Sequence, residues 1–291
     1  MDTLRDLYLT YQSLVAYVGI NTLLALSVYA TLAAGQLSLA NAGFMAIGAY
    51  TGALLTLHTA LPFPLTLLAA TMAPVILAVP LGLPVLRLRG VFLAIATIGF
   101  GEVVRLFFVN WSYANGAMGL DAIPQRTRLW MIWILVLGAL VLFARLRGSR
   151  AGLALAAIRE DETAARSIGI DTTAHKLAVF ALGAALAGLA GALEAHLTYT
   201  VSPGGFGFGR VVEMLVQAVV GGTAVYYGPL LGAVFLTSLP EILREIGARA
   251  GIEPGAFRPM LNGVVLLLVI LFLPNGLASL PSRWRARRAR R

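Results

Sequence analysis

Apolar runs follow one another along most of this chain, at approximately 12–34, 37–57, 64–86, 91–110, 129–146, 176–199, 211–227, 229–246 and 258–274. A membrane-spanning helix needs roughly 20 mostly apolar residues. In lipid, a helix satisfies its own backbone hydrogen bonds, which an open strand or loop does not. Only 12% of the residues are charged, against roughly 25% in ordinary soluble domains, so a soluble fold would lack the polar material to cover itself. The expected fold is therefore all-α: a single polytopic transmembrane helical bundle over residues 1–291, with about eight to nine spans, some of them broken. The count turns on Gly228-Pro229, which separates the seventh and eighth runs and makes them either two spans or one bent hairpin.

The formal net charge is +9, carried almost wholly by arginine; Lys176 is the sole lysine. In a soluble chain such a balance would point to nucleic acid. Here the arginines gather at the ends of apolar runs, the pattern of cytoplasmic loops. Arg87 and Arg89 lie between runs three and four; Arg145, Arg147, Arg150, Arg159 and Arg166 lie between runs five and six; six more stand in 283–291. One topology puts all three clusters in the cytoplasm, with the N-terminus outside. It makes 281–291 a basic cytoplasmic tail for topology and anionic lipid, and no nucleic-acid partner is expected. Arg5 sits between Asp2 and Asp6, so the first run lacks a basic leader and reads as a retained span. With no cysteine, disulfides and thiolate chemistry are excluded.

Enzymatic motifs are missing. There is no G-x-x-x-x-G-K-[ST] phosphate loop, and His58, His175 and His196 do not pair at metal-ligand spacing. Catalytic, cofactor and metal residues are therefore expected to be absent from this chain. Glu102 and Arg105 in "GFGEVVRLFF" are three residues apart on one helix face, either as a structural pair or beside a transport path. Glu194, Glu213 and Gln217 flank the "TVSPGGFGFGR" loop (200–210), where Pro203 and the glycines argue against helix. Gly183, Ala187 and Gly191 recur every four residues, a face that lets a neighbouring helix approach closely. "GQLSLANAGFMAIGAY" (35–50) opens a run with Gly35, Ser38, Asn41 and Gly43. These residues make either a glycine-rich packing face or a broken, polar-lined helix beside a path.

The most anomalous stretch is "AIREDETAARSIGID" (157–171), with six charges in fifteen residues. Good helix formers over 152–168 predict one helix, stopped by Gly169, after which Asp171 or Thr172 caps the next span. A short charged helix between spans is either a docking surface or a solvated loop.

"AARSIG" (164–169) resembles the EAA loop of ABC importer permeases, whose consensus is Glu-Ala-Ala, three residues, Gly. Ala164, Ala165 and Gly169 match; Thr163 stands where the Glu would be, and Glu162 lies one residue early. "GQLSLANAGFMAIGAYTGALL", "RLRGVFLAIATIGFGEVVRLFF", "GLALAAIREDETAARSIGID" and "VVGGTAVYYGPLLGAV" come in the order found in branched-chain amino-acid ABC permeases. The resemblance covers about residues 15–275 and is closer to the LivM-type than to the LivH-type subunit. It implies an inner-membrane permease for branched-chain amino acids or related small polar solutes. Such a permease works with a second LivH-type permease, an extracytoplasmic binding protein, and two cytoplasmic ATPases that hold the ATP and Mg. It also makes 148–171 a cytoplasmic coupling loop, with Arg159, Glu160, Asp161, Glu162, Ala164, Ala165 and Gly169 set against an ATPase groove. The rival reading is an ion-coupled secondary amino-acid transporter, for which inverted repeats are expected; no clear repeat is seen.

Overall fold

Ten α-helices make up most of the described chain. The computed structural model describes residues 2–249 and 276–279, and its order is α1 (Asp2–Leu32), α2 (Asn41–His58), α3 (Phe63–Val85), α4 (Val91–Asn110), α5 (Leu129–Arg147), α6 (Arg150–Glu160), α7 (Glu162–Ser167), α8 (Thr172–Thr198), α9 (Phe208–Gly221) and α10 (Gly228–Arg249). Among the described residues the only strand-like feature is one isolated bridge, Leu120 with Val201. The run at 258–274 and the tail at 281–291 lie outside the described residues. Runs seven and eight are two helices, α9 and α10, folded back on each other where Gly221 meets the Gly228 and Gly232 backbone.

Among the described residues five helices are long and apolar enough to cross a membrane: α1 from Tyr11, α3, α4, α5 and α8. They differ in what surrounds them. Within those segments, 83% of the α1 window and 61% of the α8 window are buried, against 22% for α5. Exposed large side chains cluster on the outer three, for example Ile76 on α3, Phe92 and Ile95 on α4, and Leu137 on α5. An apolar solvent rewards that arrangement, because lipid tails are as apolar as the side chains that face them. α2 is not among the five, yet thirteen of its residues are buried. It sits in the centre, against α8, α3 and α4.

Small residues make that centre possible. The Gly48 and Gly188 backbones touch, Gly52 lies on Ala192, and Thr56 Oγ1 is 2.8 Å from His196 Nε2. These pairs advance in step, so α2 and α8 run in the same direction. Gly183 packs on the Ser27 carbonyl of α1, and Gly191 on the Met45 backbone. The fourfold spacing in α8 is thus a packing face. On its other side Gly188 meets Ala70 and Pro74 of α3, a helix that carries Pro74, Pro80 and Pro84 inside it.

The two ends of the bundle are distinct. At one end the segments after α2, α4 and α8 are tied together: Arg126 Nη1 donates to the Leu61 carbonyl at 3.2 Å, and Leu120 and Val201 exchange backbone bonds at 2.8 Å. The loop at 200–210 is partly ordered, with a 3-10 turn over Pro203–Phe206 and α9 starting at Phe208. At the other end lie α6, α7 and the turn between α3 and α4.

Candidate functional site

The segment after α1 does not cross the end of the bundle as an ordinary loop. Gly35 adopts φ +72, and its position stands 3.3 Å from the Arg159 Cα of α6, measured from where a Cβ would be. The positive φ and the close approach both favour glycine. Residues 36–40 then turn back into the bundle without helix, and Leu39 N–H donates to Thr97 Oγ1 at 2.9 Å. α2 begins only at Asn41, whose Nδ2 donates to Ser27 Oγ at 2.9 Å. Ser27 also faces Gly183, which lies eleven residues into α8, about 16 Å from its start at 1.5 Å per residue. α2 therefore starts deep inside the bundle. Gly43 lies against Gly101 and Phe100 of α4. Residues 36–40 are thus non-helical, and Gly35 and Gly43 are packing contacts.

Irregular backbone at such depth is tolerated where protein buries it or where it lines a cavity. Gln36 and Ser38 are buried at 4% and 1% exposure, and their side-chain polar atoms have no hydrogen-bond partner among the described residues. Buried polar groups are nearly always paired, and leaving one unpaired costs about 1–3 kcal/mol. Asn21, Tyr50, Thr66 and Gln217 also keep a buried side-chain atom without a partner among the described residues.

At the α6–α7 end the single helix expected over 152–168 is two helices. Asp161 breaks it. In extended conformation, its carboxylate accepts from the Thr163 and Ala164 N–H groups at 2.7 and 3.0 Å, capping α7. A mid-helix Asp competes for backbone donors in this way. Ser149 caps α6 and Asp171 caps α8. Gly169 ends α7 at φ +87, and the Ile170 N–H reaches back to the Ala165 carbonyl at 3.1 Å. Ala165 is buried and Ala164 exposed. Arg159, Glu160 and Asp161 are exposed, as are two large apolar side chains, Leu153 and Ile168. A cavity of about 190 Å³ opens here between the ends of α1 and α5, α6, and Thr223 and Ala224.

Glu162 behaves differently from its neighbours. Its carboxylate turns inward and meets Lys176 Nζ at 2.6 Å, Arg166 Nη2 at 2.8 Å and Arg89 Nη2 at 3.8 Å. Thr172 Oγ1 donates to it at 3.3 Å. One side chain thus joins α7, the first turns of α8, and the α3–α4 turn. Burial pushes the Glu162 carboxyl up, but the Lys176 hydrogen bond and the charges of Lys176, Arg166 and Arg89 outweigh it and hold the group below the ordinary carboxylate value. Neither Arg89 nor Lys176 is marked out as a partner by sequence spacing.

Glu102 and Arg105 form an ion pair at 2.7 Å on the face of α4, with Arg105 close to Gly207. Sequence reasoning saw Glu194 and Glu213 separately; Arg210 joins them. Its Nη2 meets Glu194 Oε2 at 2.6 Å and its Nη1 meets Glu213 Oε2 at 2.9 Å. Among the described residues no group of three His, Asp or Glu side chains is placed to hold a metal.

The family model "Branched-chain amino acid transport system / permease component" matches residues 10–274. The chain is similar to the high-affinity branched-chain amino acid transport system permease protein LivM of Salmonella typhimurium, 33% identical over 89% of this chain and 66% of the relative. The Escherichia coli LivM is likewise 33% identical, over 92% of this chain and 68% of the relative. The chain thus spans only about two thirds of the length of these relatives. The Escherichia coli LivH permease protein is 30% identical over 53% of this chain and 47% of its own length. No solved structure matches the chain.

Proposed function

We propose that this chain, which belongs to the family of permease components of branched-chain amino acid transport systems, is one membrane-spanning subunit of an ABC importer. It would carry branched-chain amino acids or related small polar solutes inward across the inner membrane. In this reading a LivH-like permease stands beside it, a binding protein delivers solute outside, and two cytoplasmic ATPases hold ATP and Mg. The α6–α7 end faces the cytoplasm, and so does the basic tail.

One contact carries the reading: Gly35 lies against Arg159. α6 with α7 is the charged, exposed pair of helices suited to a partner's surface, and Gly35 opens the non-helical segment whose Gln36 and Ser38 side chains have no hydrogen-bond partner among the described residues. Two backbones in contact transmit displacement directly, because a packed interface shifts between arrangements rather than deforming smoothly. ATP-driven movement of α6 thus presses on residues 35–40 and on the start of α2. Exposed Leu153 and Ile168 supply apolar contact with the ATPase. Arg159, Glu160 and Asp161 supply charge that sets register and partner choice. Ala165 and Gly169 hold the shape of α7, and Ala164 lets the partner approach. Glu162 holds α7 to α8 from behind.

The double variant Arg159→Glu, Glu160→Arg tests the reading. With the full transporter reconstituted in vesicles, leucine uptake is expected to fall at least about tenfold, a loss on the order of 1.4 kcal/mol of coupling. ATP hydrolysis should persist, uncoupled from uptake, and membrane insertion should be unchanged. Uptake at the unaltered rate would remove the docking surface from α6. Orientation has its own test. Because the chain has no cysteine, Ser167→Cys gives it a single thiol, expected to react with an impermeant maleimide only after the cytoplasmic side is opened. Labelling on intact cells would invert the topology.

A further inference from the structure

At the end of the bundle opposite α6 and α7, α2, α8 and the 200–206 segment enclose a second cavity of about 190 Å³. That is below the roughly 300 Å³ at which pockets for drug-sized ligands begin, and suits a solute the size of a free amino acid. Its lining divides by chemistry. Met45, Ala49 and Phe206 are apolar, while Glu194, Thr200 and Ser202 are polar.

Glu194 brings more than one carboxylate to the wall. It shares the Arg210 guanidinium with Glu213. Two carboxylates on one guanidinium leave a net charge of −1 when all three are ionised. The side chains of Glu194 and Arg210 are 24% and 16% exposed, whereas Glu213 is 47% exposed. Water therefore reaches the excess charge mainly at Glu213, while at the inner end Arg210 takes Glu194 Oε2 and leaves the second oxygen, Oε1, outside the pair. A carboxylate accepts at both oxygens, so an ammonium entering the cavity finds an acceptor in Glu194 Oε1.

We infer that this cavity is a receiving subsite for an α-amino acid. The ammonium group pairs with Glu194, the aliphatic side chain lies against Met45, Ala49 and Phe206, and the carboxylate meets the hydroxyls of Thr200 and Ser202. The site rests on the permease reading above and says where on this chain the solute is recognised. The two sides of the cavity answer to the two ends of such a solute. A branched hydrocarbon chain recovers apolar contact, and a primary ammonium cancels the excess charge on the triad.

The test uses the complete transporter carrying Ser202→Cys, whose thiol would be this chain's only one and would line the cavity. Maleimide alkylation of that thiol is followed with L-leucine, with isoamylamine (ammonium without carboxylate) and with 4-methylpentanoate (carboxylate without ammonium). Millimolar leucine and isoamylamine are expected to slow alkylation by about threefold or more, as mass action requires for a site mostly filled. 4-Methylpentanoate should not. Adding Glu194→Gln should abolish protection, and Glu194→Asp should keep it. Protection by 4-methylpentanoate, protection that survives Glu194→Gln, or none by any probe would each overturn the subsite. Leucine uptake by the transporter without these substitutions is measured alongside. Uptake without protection removes the subsite and leaves the permease reading standing. Protection without ATP-driven uptake does the reverse.

Discussion

Gly188→Val is expected to prevent recovery of a folded permease. A Cβ at this position would overlap the Pro74 ring and stand 2.7 Å from the Ala70 carbonyl oxygen. A proline ring does not swing aside, and the carbonyl belongs to the α3 backbone. On its other side the Gly188 backbone already touches Gly48. α8 is therefore held between α2 and α3 with no direction in which to yield. Overpacking ordinarily costs about 1–3 kcal/mol when side chains absorb it; here whole helices must separate, so the cost is expected at or above that upper value. Two other glycines give the control. Gly99 and Gly138 have open space where a Cβ would go, so alanine there should raise helix propensity without a clash. Size-exclusion profiles and thermal melting in detergent separate the cases. Gly188→Val eluting and melting like the parent protein would refute the tight α2–α8–α3 contact.

Glu162→Gln is expected to loosen the α6–α7 end and to lower uptake. The substitution keeps shape but removes the negative charge from Lys176, whose side chain is 10% exposed, and from Arg166 and Arg89. Breaking a buried pair from one side costs roughly 3–5 kcal/mol, because the other charge remains. Glu162 is partly open to solvent, which puts the expected loss nearer about 2 kcal/mol. Adding Lys176→Met removes the stranded charge and should recover much of the loss, a coupling that a double-mutant cycle reads directly. Losses of the two single variants that simply add in the double variant would mean that the pair does not matter. The same network gives a pH dependence. The Glu162 carboxyl is held below its ordinary value of 4.5, so its contribution is fully present above about pH 4.5. It is lost as pH falls from there through the lowered value of the folded state. In Glu162→Gln that part of the acid sensitivity should disappear.

Sequence spacing carried the helices well, because each run of apolar residues has one structural answer in lipid. Gly35, Ser38 and Asn41 leave the start of α2 open between a glycine-rich packing face and a broken helix, because a residue poor for a continuous apolar helix is also one that permits close packing. The direction of the charges around α6 and α7 was less legible. Asp161 reads as one more helical charge until its backbone is seen in the extended conformation, where it caps α7 and breaks the helix. Glu162 reads as a neighbour of Glu160, yet its main partner, Lys176, is fourteen residues away, on the first turns of α8. Arg210 is illegible for a similar reason: local pattern does not reveal that Glu194 and Glu213 converge on it. Spacing fixes which face of a helix a side chain occupies, but not what tertiary packing brings opposite that face.

The modest hydropathy of α2 has a consequence for how the protein is made. The neighbours that cover this helix include α8, whose last residue follows the end of α2 by 140 positions. At synthesis rates of about 5–20 residues per second, that interval is roughly 7–28 s. Through it, a segment rich in glycine and opened by Asn41 must wait in or beside the insertion machinery with part of its final surroundings still unmade. The helix at the centre of the finished molecule is thus among the last to be secured.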